Sequence, residues 1–166
     1  MITLVLGGAR SGKSAFGESR AALTRAPVTY VATARRDADA EFEQRIDAHQ
    51  RRRPASWVLV EASDDLATSL VGLTGTVVLD SLTTWLANVN DFDYEWTPLE
   101  NALLAVAGDV IIVSDEVGLS LHPTSELGRL FRDALGTLNQ AVAAIADEVY
   151  FVLAGQALCV KSRPDE

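Results

Sequence analysis

One cysteine, Cys159, leaves no partner for an internal disulfide, and two lysines against twelve arginines make every lysine a position to notice. Long apolar runs are missing. The first, Ile2–Leu6, passes at once into glycines, far short of the roughly 20 residues that cross a bilayer. Neither a signal peptide nor a membrane span is therefore expected, and the chain reads as cytoplasmic. Positive charge is in deficit: 14 Lys and Arg face 23 Asp and Glu, a net charge of −9, which argues against a nucleic-acid-binding surface. No fixed-period repeat or low-complexity segment interrupts the chain. With 166 residues, 48% hydrophobic, it holds enough apolar material for one continuous core, so a single domain over residues 1–166 is expected.

Directly after the Ile2–Leu6 run stand Gly7, Gly8, Ala9, Arg10, Ser11, Gly12, Lys13 and Ser14, which spell G-x-x-x-x-G-K-S. An apolar strand followed by this spacing and a helix is the frame of a phosphate-binding loop. Glycine lets the backbone wrap an anion, and successive N–H groups and the helix N-terminus turn their positive ends toward it. Lys13, one of the two lysines, is placed to reach the β- and γ-phosphates, and Ser14 supplies the hydroxyl expected on magnesium. The loop predicts nucleoside triphosphate binding.

Five further apolar runs, Val28–Ala32, Trp57–Val60, Val77–Leu79, Val110–Val113 and Val149–Leu153, read as buried strands separated by helical or loop-like stretches. The alternation predicts an α/β fold, a mostly parallel sheet with helices on both faces. The clearest helix lies between Pro123 and Asp147, where Leu127, Leu130, Phe131, Ala134, Leu135, Leu138, Ala141, Val142 and Ile145 recur at helical spacing. Asn88 to Pro98 is read as an exposed loop without either period, a lid or subunit contact.

Sites in open parallel sheets gather beyond the C-terminal strand ends. Ala32, Thr33 and Ala34 form a small-residue turn there, able to lie close to a ligand or simply to be a turn. Next comes a stretch with acids at its start (Asp37, Asp39, Glu41, Glu43) and Arg51, Arg52 and Arg53 at its end before Pro54, the charge order of a dipole-matched helix stopped by proline. Within it Arg45, His49 and Arg53 recur every four residues and share one helical face, suited to a phosphate or to a solvated basic surface. Asp80 ends an apolar strand in the manner of a Walker B carboxylate, which holds or orients magnesium. Glu61 closes the preceding strand and is read either as a base or ribose acceptor or as a surface acid. Asp115 and Glu116 follow the strand at Val110–Val113 and are placed to orient water, magnesium or a substrate hydroxyl, or to form a plain turn.

Gly7–Ser14, Tyr30-Val31-Ala32-Thr33, Arg45-Ile46-x-x-His49-x-x-x-Arg53-Pro54, Leu79-Asp80-Ser81-Leu82-Thr83-Thr84 and Glu116-Val117-Gly118 together resemble the bifunctional adenosylcobinamide kinase and adenosylcobinamide-phosphate guanylyltransferase family. The likeness continues through Arg129-x-Phe131-Arg132-Asp133-x-x-Gly136-x-x-Asn139-Gln140 and Ala146-Asp147-Glu148-Val149, so it covers nearly the whole chain. It implies a RecA-like P-loop fold assembled as a homotrimer, with Mg2+ and with GTP or ATP as substrates. It also implies two reactions in cobalamin biosynthesis: phosphorylation of the aminopropanol hydroxyl of adenosylcobinamide, then transfer of GMP from GTP to that phosphate through a guanylylated histidine. The matching histidine is His49. The nucleotide contacts it implies fall on residues 7–14, Ala32 to Ala34, Gln50 to Arg53, Glu61 and Asp80, with Ser14 and Asp80 for the metal and Arg45, Asp115 and Glu116 toward the substrate. Asp115 stands where the family pattern often has Asn. Two other readings stay open: a P-loop small-molecule kinase without nucleotidyl transfer, with His49 a helix-surface residue, and a P-loop NTPase switch. No Asn-Lys-x-Asp base-reading element supports a Ras-like switch.

Overall fold

The computed structural model describes residues 1–34, 54–62, 64–119 and 121–162. In chain order they form β1 (Ile2–Gly7), α1 (Lys13–Ala22), β2 (Val28–Ala32), β3 (Val58–Glu61), α2 (Leu66–Leu70), β4 (Thr74–Asp80), α3 (Leu82–Asn88), α4 (Trp96–Ala105), β5 (Ala107–Asp115), α5 (Glu126–Ile145), β6 (Glu148–Leu153) and β7 (Gln156–Lys161). One sheet runs β3-β2-β4-β5-β1-β6-β7. Every pair is parallel except β6 with β7.

The continuous apolar runs reflect burial on both faces of the sheet. Ile2 and Leu4 of β1, Val77 and Leu79 of β4, and Val110 and Ile112 of β5 point to the larger core, against Leu66, Leu86, Leu103, Leu135, Leu138 and Val142 from the helices. Val5, Val78 and Ile111 point the other way and meet Ala21 and Phe16 of α1. α1 is further clamped to β6: Arg20 donates to Glu148 at 2.6 Å and to the Tyr150 hydroxyl at 3.1 Å, with its guanidinium over the Tyr150 ring. The residues at the head of α1 are thereby fixed to the sheet.

Each of the six predicted strands is present, and helix α5 occupies the interval between Pro123 and Asp147, but β3, expected to be buried, is an edge strand with Val58, Leu59 and Glu61 exposed. β7 was not expected. Its side chains are exposed throughout, so burial left no alternation to read. The signal lay in the turn: Ala154 (φ 50°) and Gly155 (φ 77°) both adopt positive φ, the conformation of a two-residue hairpin.

The reading of Asn88 to Pro98 as an exposed loop without period is corrected. α3 runs to Asn88, a 3₁₀ turn covers Asn90–Phe92, and α4 starts at Trp96. Between them, Phe92, Tyr94 and Trp96 pack against the larger core while Asp91, Asp93 and Glu95 are exposed, a period of two. Phe92 meets Phe131 edge-on and Tyr94 meets Trp85, and burial pushes the Tyr94 hydroxyl above its usual pKa. Aromatic docking against the core explains the spacing of that run.

The start of β1 is pinned to β6 through Asp147. The Ile2 N–H donates to Asp147 Oδ2 at 2.7 Å, and the Asp147 N–H donates to the Ile2 carbonyl at 2.8 Å. Asp147→Ala strips the side-chain acceptor from a buried N–H and is expected to lower stability by about 1–3 kcal/mol in urea melts. An unchanged midpoint would show that water replaces the carboxylate there.

Candidate active site

The phosphate loop is braced from three sides. Gly7 packs so closely that a Cβ there would lie 2.5 Å from Ser11 Oγ and 2.6 Å from the Val152 carbonyl, so only glycine fits between the loop and β6. Within the loop the Ser11 N–H donates to the Gly8 carbonyl at 3.2 Å, and Ser11 Oγ accepts from the Lys13 N–H at 3.3 Å. From outside, the Gly155 N–H of the β6–β7 turn donates to the Ser11 carbonyl at 2.8 Å. Arg10 (φ 58°) and Gly12 (φ 97°) take left-handed backbone as the loop turns into α1. Nothing in the sequence reading pointed to Gly155 as part of this loop.

Lys13 and Asp115 meet at the centre. The parallel register sets Gly7 opposite Asp115, and Lys13 Nζ lies 2.5 Å from Asp115 Oδ1 with a second contact of 3.3 Å to the Gly8 carbonyl. The pair is largely shielded, with side-chain exposures of 12% and 24%, so its attraction is less screened than a surface ion pair. Asp115 is also held through its backbone: its N–H donates to Thr83 Oγ1 at 2.8 Å, and its carbonyl accepts from Asn139 Nδ2 at 3.0 Å. The next N–H, from Glu116, donates to the Gly7 carbonyl at 3.1 Å, and Glu116 Oε1 accepts from the Gly118 N–H at 2.6 Å. Asp115 and Glu116 therefore border the loop directly.

Asp80 ends β4, two strands from β1 across β5, or about 10 Å at ordinary strand spacing. Its Oδ2 accepts from the Tyr30 hydroxyl at 2.6 Å. Thr33, read either as lying close to a ligand or as part of a plain turn, is buried, and its hydroxyl is engaged inside the protein. It donates to the Ser81 carbonyl at 2.7 Å, accepts from the Ser81 N–H at 2.9 Å, and lies 2.5 Å from Thr84 Oγ1. Ser81 and Thr84 complete a capping box at the head of α3. The Leu79–Thr84 segment thus ties the ends of β2, β4 and β5 together around Asp80.

Glu61 is exposed at the end of β3, four strands from β1, or about 19 Å along the sheet edge. It shares that edge with Lys13 but does not meet it. Arg45, His49, Gln50, Arg51, Arg52 and Arg53 lie outside the described residues, as does the helix expected around them.

Gly7→Ala forces either the Ser11 side chain or the β6 backbone to move. Triphosphate affinity measured by calorimetry is expected to fall about tenfold or more, the scale of a 1–3 kcal/mol overpacking strain. Unaltered affinity would mean the loop adapts freely.

The model of the family described as cobinamide kinase / cobinamide phosphate guanyltransferase matches residues 3–160. A curated relative from Pseudomonas aeruginosa, named bifunctional adenosylcobalamin biosynthesis protein CobP, is 38% identical over 99% of this chain and 99% of its own length. One from Escherichia coli, named bifunctional adenosylcobalamin biosynthesis protein CobU, is 35% identical over 97% and 100%. Solved structures agree on the fold at low identity. The flagellar accessory protein FlaH of Methanocaldococcus jannaschii has a TM-score of 0.54 at 14% identity, covering 98% of this chain and 78% of its own. A type III secretion ATPase has a TM-score of 0.55 at 10% identity, covering 90% and 51%. The sheet order, the phosphate loop after β1 and the near full-length matches agree: the chain belongs to the cobinamide kinase / cobinamide phosphate guanyltransferase family.

Proposed function

We propose that this chain performs both transfers for which its family is named: phosphorylation of cobinamide by GTP or ATP, and transfer of a guanylyl group from GTP to cobinamide phosphate. The observation that carries the reading is Lys13, held by Asp115 at the mouth of a braced phosphate loop, in a chain whose family match spans residues 3–160. A triphosphate seated on residues 7–14 exchanges Asp115 for phosphate as the partner of Lys13. The freed Asp115 side chain then borders the γ-phosphate, where it, like the Asn that the family pattern often has, can accept a hydrogen bond that aims the incoming hydroxyl, whose proton passes to a phosphate oxygen or water. In that step the acceptor oxygen bonds to the γ-phosphorus, the bond to the bridging oxygen breaks, and the nucleoside diphosphate leaves.

Magnesium suits the residues present. Ser14 and Asp80 offer hard oxygen donors, and among the described residues no three His, Cys, Asp or Glu gather into an all-protein cage. An ion held mainly by phosphate oxygens and water fits that pattern, with Ser14 and Asp80 as its protein contacts. When bound it neutralises charge on the triphosphate. Tyr30 orients Asp80 for this role. Glu61, at the far end of the sheet edge, is placed to meet the base end of a nucleotide whose phosphates lie on the loop.

For guanylyl transfer the resemblance assigns the nucleophile to His49. Its imidazole nitrogen attacks the α-phosphorus, pyrophosphate leaves, and an oxygen of cobinamide phosphate then takes the GMP from the histidine. Arg45 and Gln50 to Arg53 supply charge to the transferring group. A homotrimer is the assembly inferred by the same resemblance.

Incubation with GTP labelled at the α- or γ-phosphate, followed by denaturation, separates the activities. Acid-labile α-label that is retained by the protein and absent from His49→Ala is the expected result; its absence in a folded sample leaves the kinase alone. Lys13→Ala is expected to abolish both transfers, since one loop serves them. Asp115→Asn, which introduces the residue the family pattern often has, is expected to leave kcat for phosphoryl transfer within a few-fold and GTP affinity unchanged or tighter, because Lys13 loses a competing carboxylate. A fall of about 10²-fold or more, the usual worth of a general base, would instead assign proton transfer to Asp115.

A further inference from the structure

The phosphate loop keeps an arginine where its backbone favours glycine. The Ser11 N–H donates to the Gly8 carbonyl at 3.2 Å, which closes a four-residue turn with Arg10 at its third position. Arg10 has φ 58°, in the left-handed region that glycine and asparagine enter at little cost and a long side chain does not. The turn is held on both sides, because the Ser11 carbonyl accepts from the Gly155 N–H at 2.8 Å and Gly7 is wedged against the Val152 carbonyl. Strained backbone of this kind gathers at sites of chemistry, where the side chain it carries has work to do. Core packing is not that work, since Arg10 is exposed at the apex of the loop.

Position singles it out among the guanidinium groups. Arg20 is engaged with Glu148 and Tyr150, Arg129 with the Pro123 and Thr124 carbonyls, and Arg132 with Asp133 and His122. Arg25 precedes β2 and so lies at the opposite edge of the parallel strands from the loop after β1. Among the described residues, Arg10 is the arginine carried by the phosphate loop itself.

Charge points to its role. Lys13 is matched by Asp115 at 2.5 Å, with Glu116 next along the chain. Once a triphosphate takes Lys13, the carboxylate of Asp115 is left beside the γ-phosphate, where it repels the charge on the transferring group. A second cation there offsets the repulsion. A guanidinium does so with paired N–H donors that match two phosphate oxygens.

We propose that Arg10 is a catalytic residue of the phosphoryl transfer, its guanidinium folding over the seated triphosphate to hold two oxygens of the γ-phosphoryl group. The inference deepens the kinase reading above and rests on it. As the acceptor oxygen bonds to the γ-phosphorus and the bond to the bridging oxygen breaks, the nucleoside diphosphate departs with that electron pair. Arg10 is unchanged by the step and steadies the charge on the group in flight.

The test compares the full chain with its Arg10→Gly and Arg10→Lys variants. Phosphoryl transfer from γ-labelled GTP to cobinamide gives kcat, and calorimetry without cobinamide gives the affinities for GDP and for α,β-methylene GTP, which resists guanylyl transfer. Glycine suits the turn, so Arg10→Gly is expected to melt no lower than wild type while kcat falls about 10²-fold or more. Its affinity for the triphosphate is expected to drop about tenfold, with GDP affinity held within a few-fold. Added methylguanidinium is expected to restore part of the lost kcat, and Arg10→Lys, which keeps the charge without the fork, to fall between. A kcat for Arg10→Gly within a few-fold of wild type overturns the assignment. So does a lower melting temperature with GDP affinity lost alongside, the mark of a purely structural arginine. A wild-type chain that binds GTP but never phosphorylates cobinamide removes the kinase reading instead, and the preference for triphosphate over GDP then decides Arg10. That preference lost in Arg10→Gly upholds the γ-phosphate contact; that preference kept overturns it.

Discussion

The parallel register of β1 against β5 sets Gly7 opposite Asp115, and the rest of the site depends on that pairing. It brings the lysine at the head of α1 onto the carboxylate at the end of β5, although the two are far apart in sequence. A one-residue slip would turn the whole strand over, exchanging the faces that Leu4 and Val5 bury in two different cores. The hydrophobic pattern of a central strand therefore enforces a charge pairing, and packing supplies the precision that an isolated loop would lack.

Around this pair the protein uses backbone groups more than side-chain charges. Thr83 and Asn139 hold the Asp115 peptide, Thr33 holds the Ser81 peptide, and Gly155 holds the Ser11 carbonyl. Short neutral side chains suit an anion site in an acidic protein, because they fix geometry without adding repulsion. The hydroxyl-rich Ser81–Thr84 segment reads as such a brace, with Asp80 presented by it rather than isolated.

Central strands were legible because burial on both faces leaves continuous apolar runs, and the phosphate loop because its backbone demands fix residue types at fixed spacing. What escaped was mostly relational. Asn139 sits among the residues of an amphipathic helix, and no period shows that its amide holds the Asp115 carbonyl. The hydroxyl of Thr33 looked available until β4 and α3 were placed beside it. Gly155 touches the loop only because β6 lies next to β1, a neighbour relation that topology sets. The Phe92, Tyr94 and Trp96 alternation was present in the sequence, and reading it as a loop overlooked the period of two.

The first strand of the described sheet is also one of the last to be completed. Among these strands β1 comes first in the chain, yet its two neighbours in the sheet, β5 and β6, begin only at Ala107 and Glu148. Until then its apolar residues have no sheet to join, and the loop after it has neither the Val152 carbonyl nor the Gly155 turn to shape it. Long-range pairing of this kind makes for slow, late-closing assembly. The phosphate loop therefore gains its full frame only once β5, β6 and the β6–β7 turn have closed on β1.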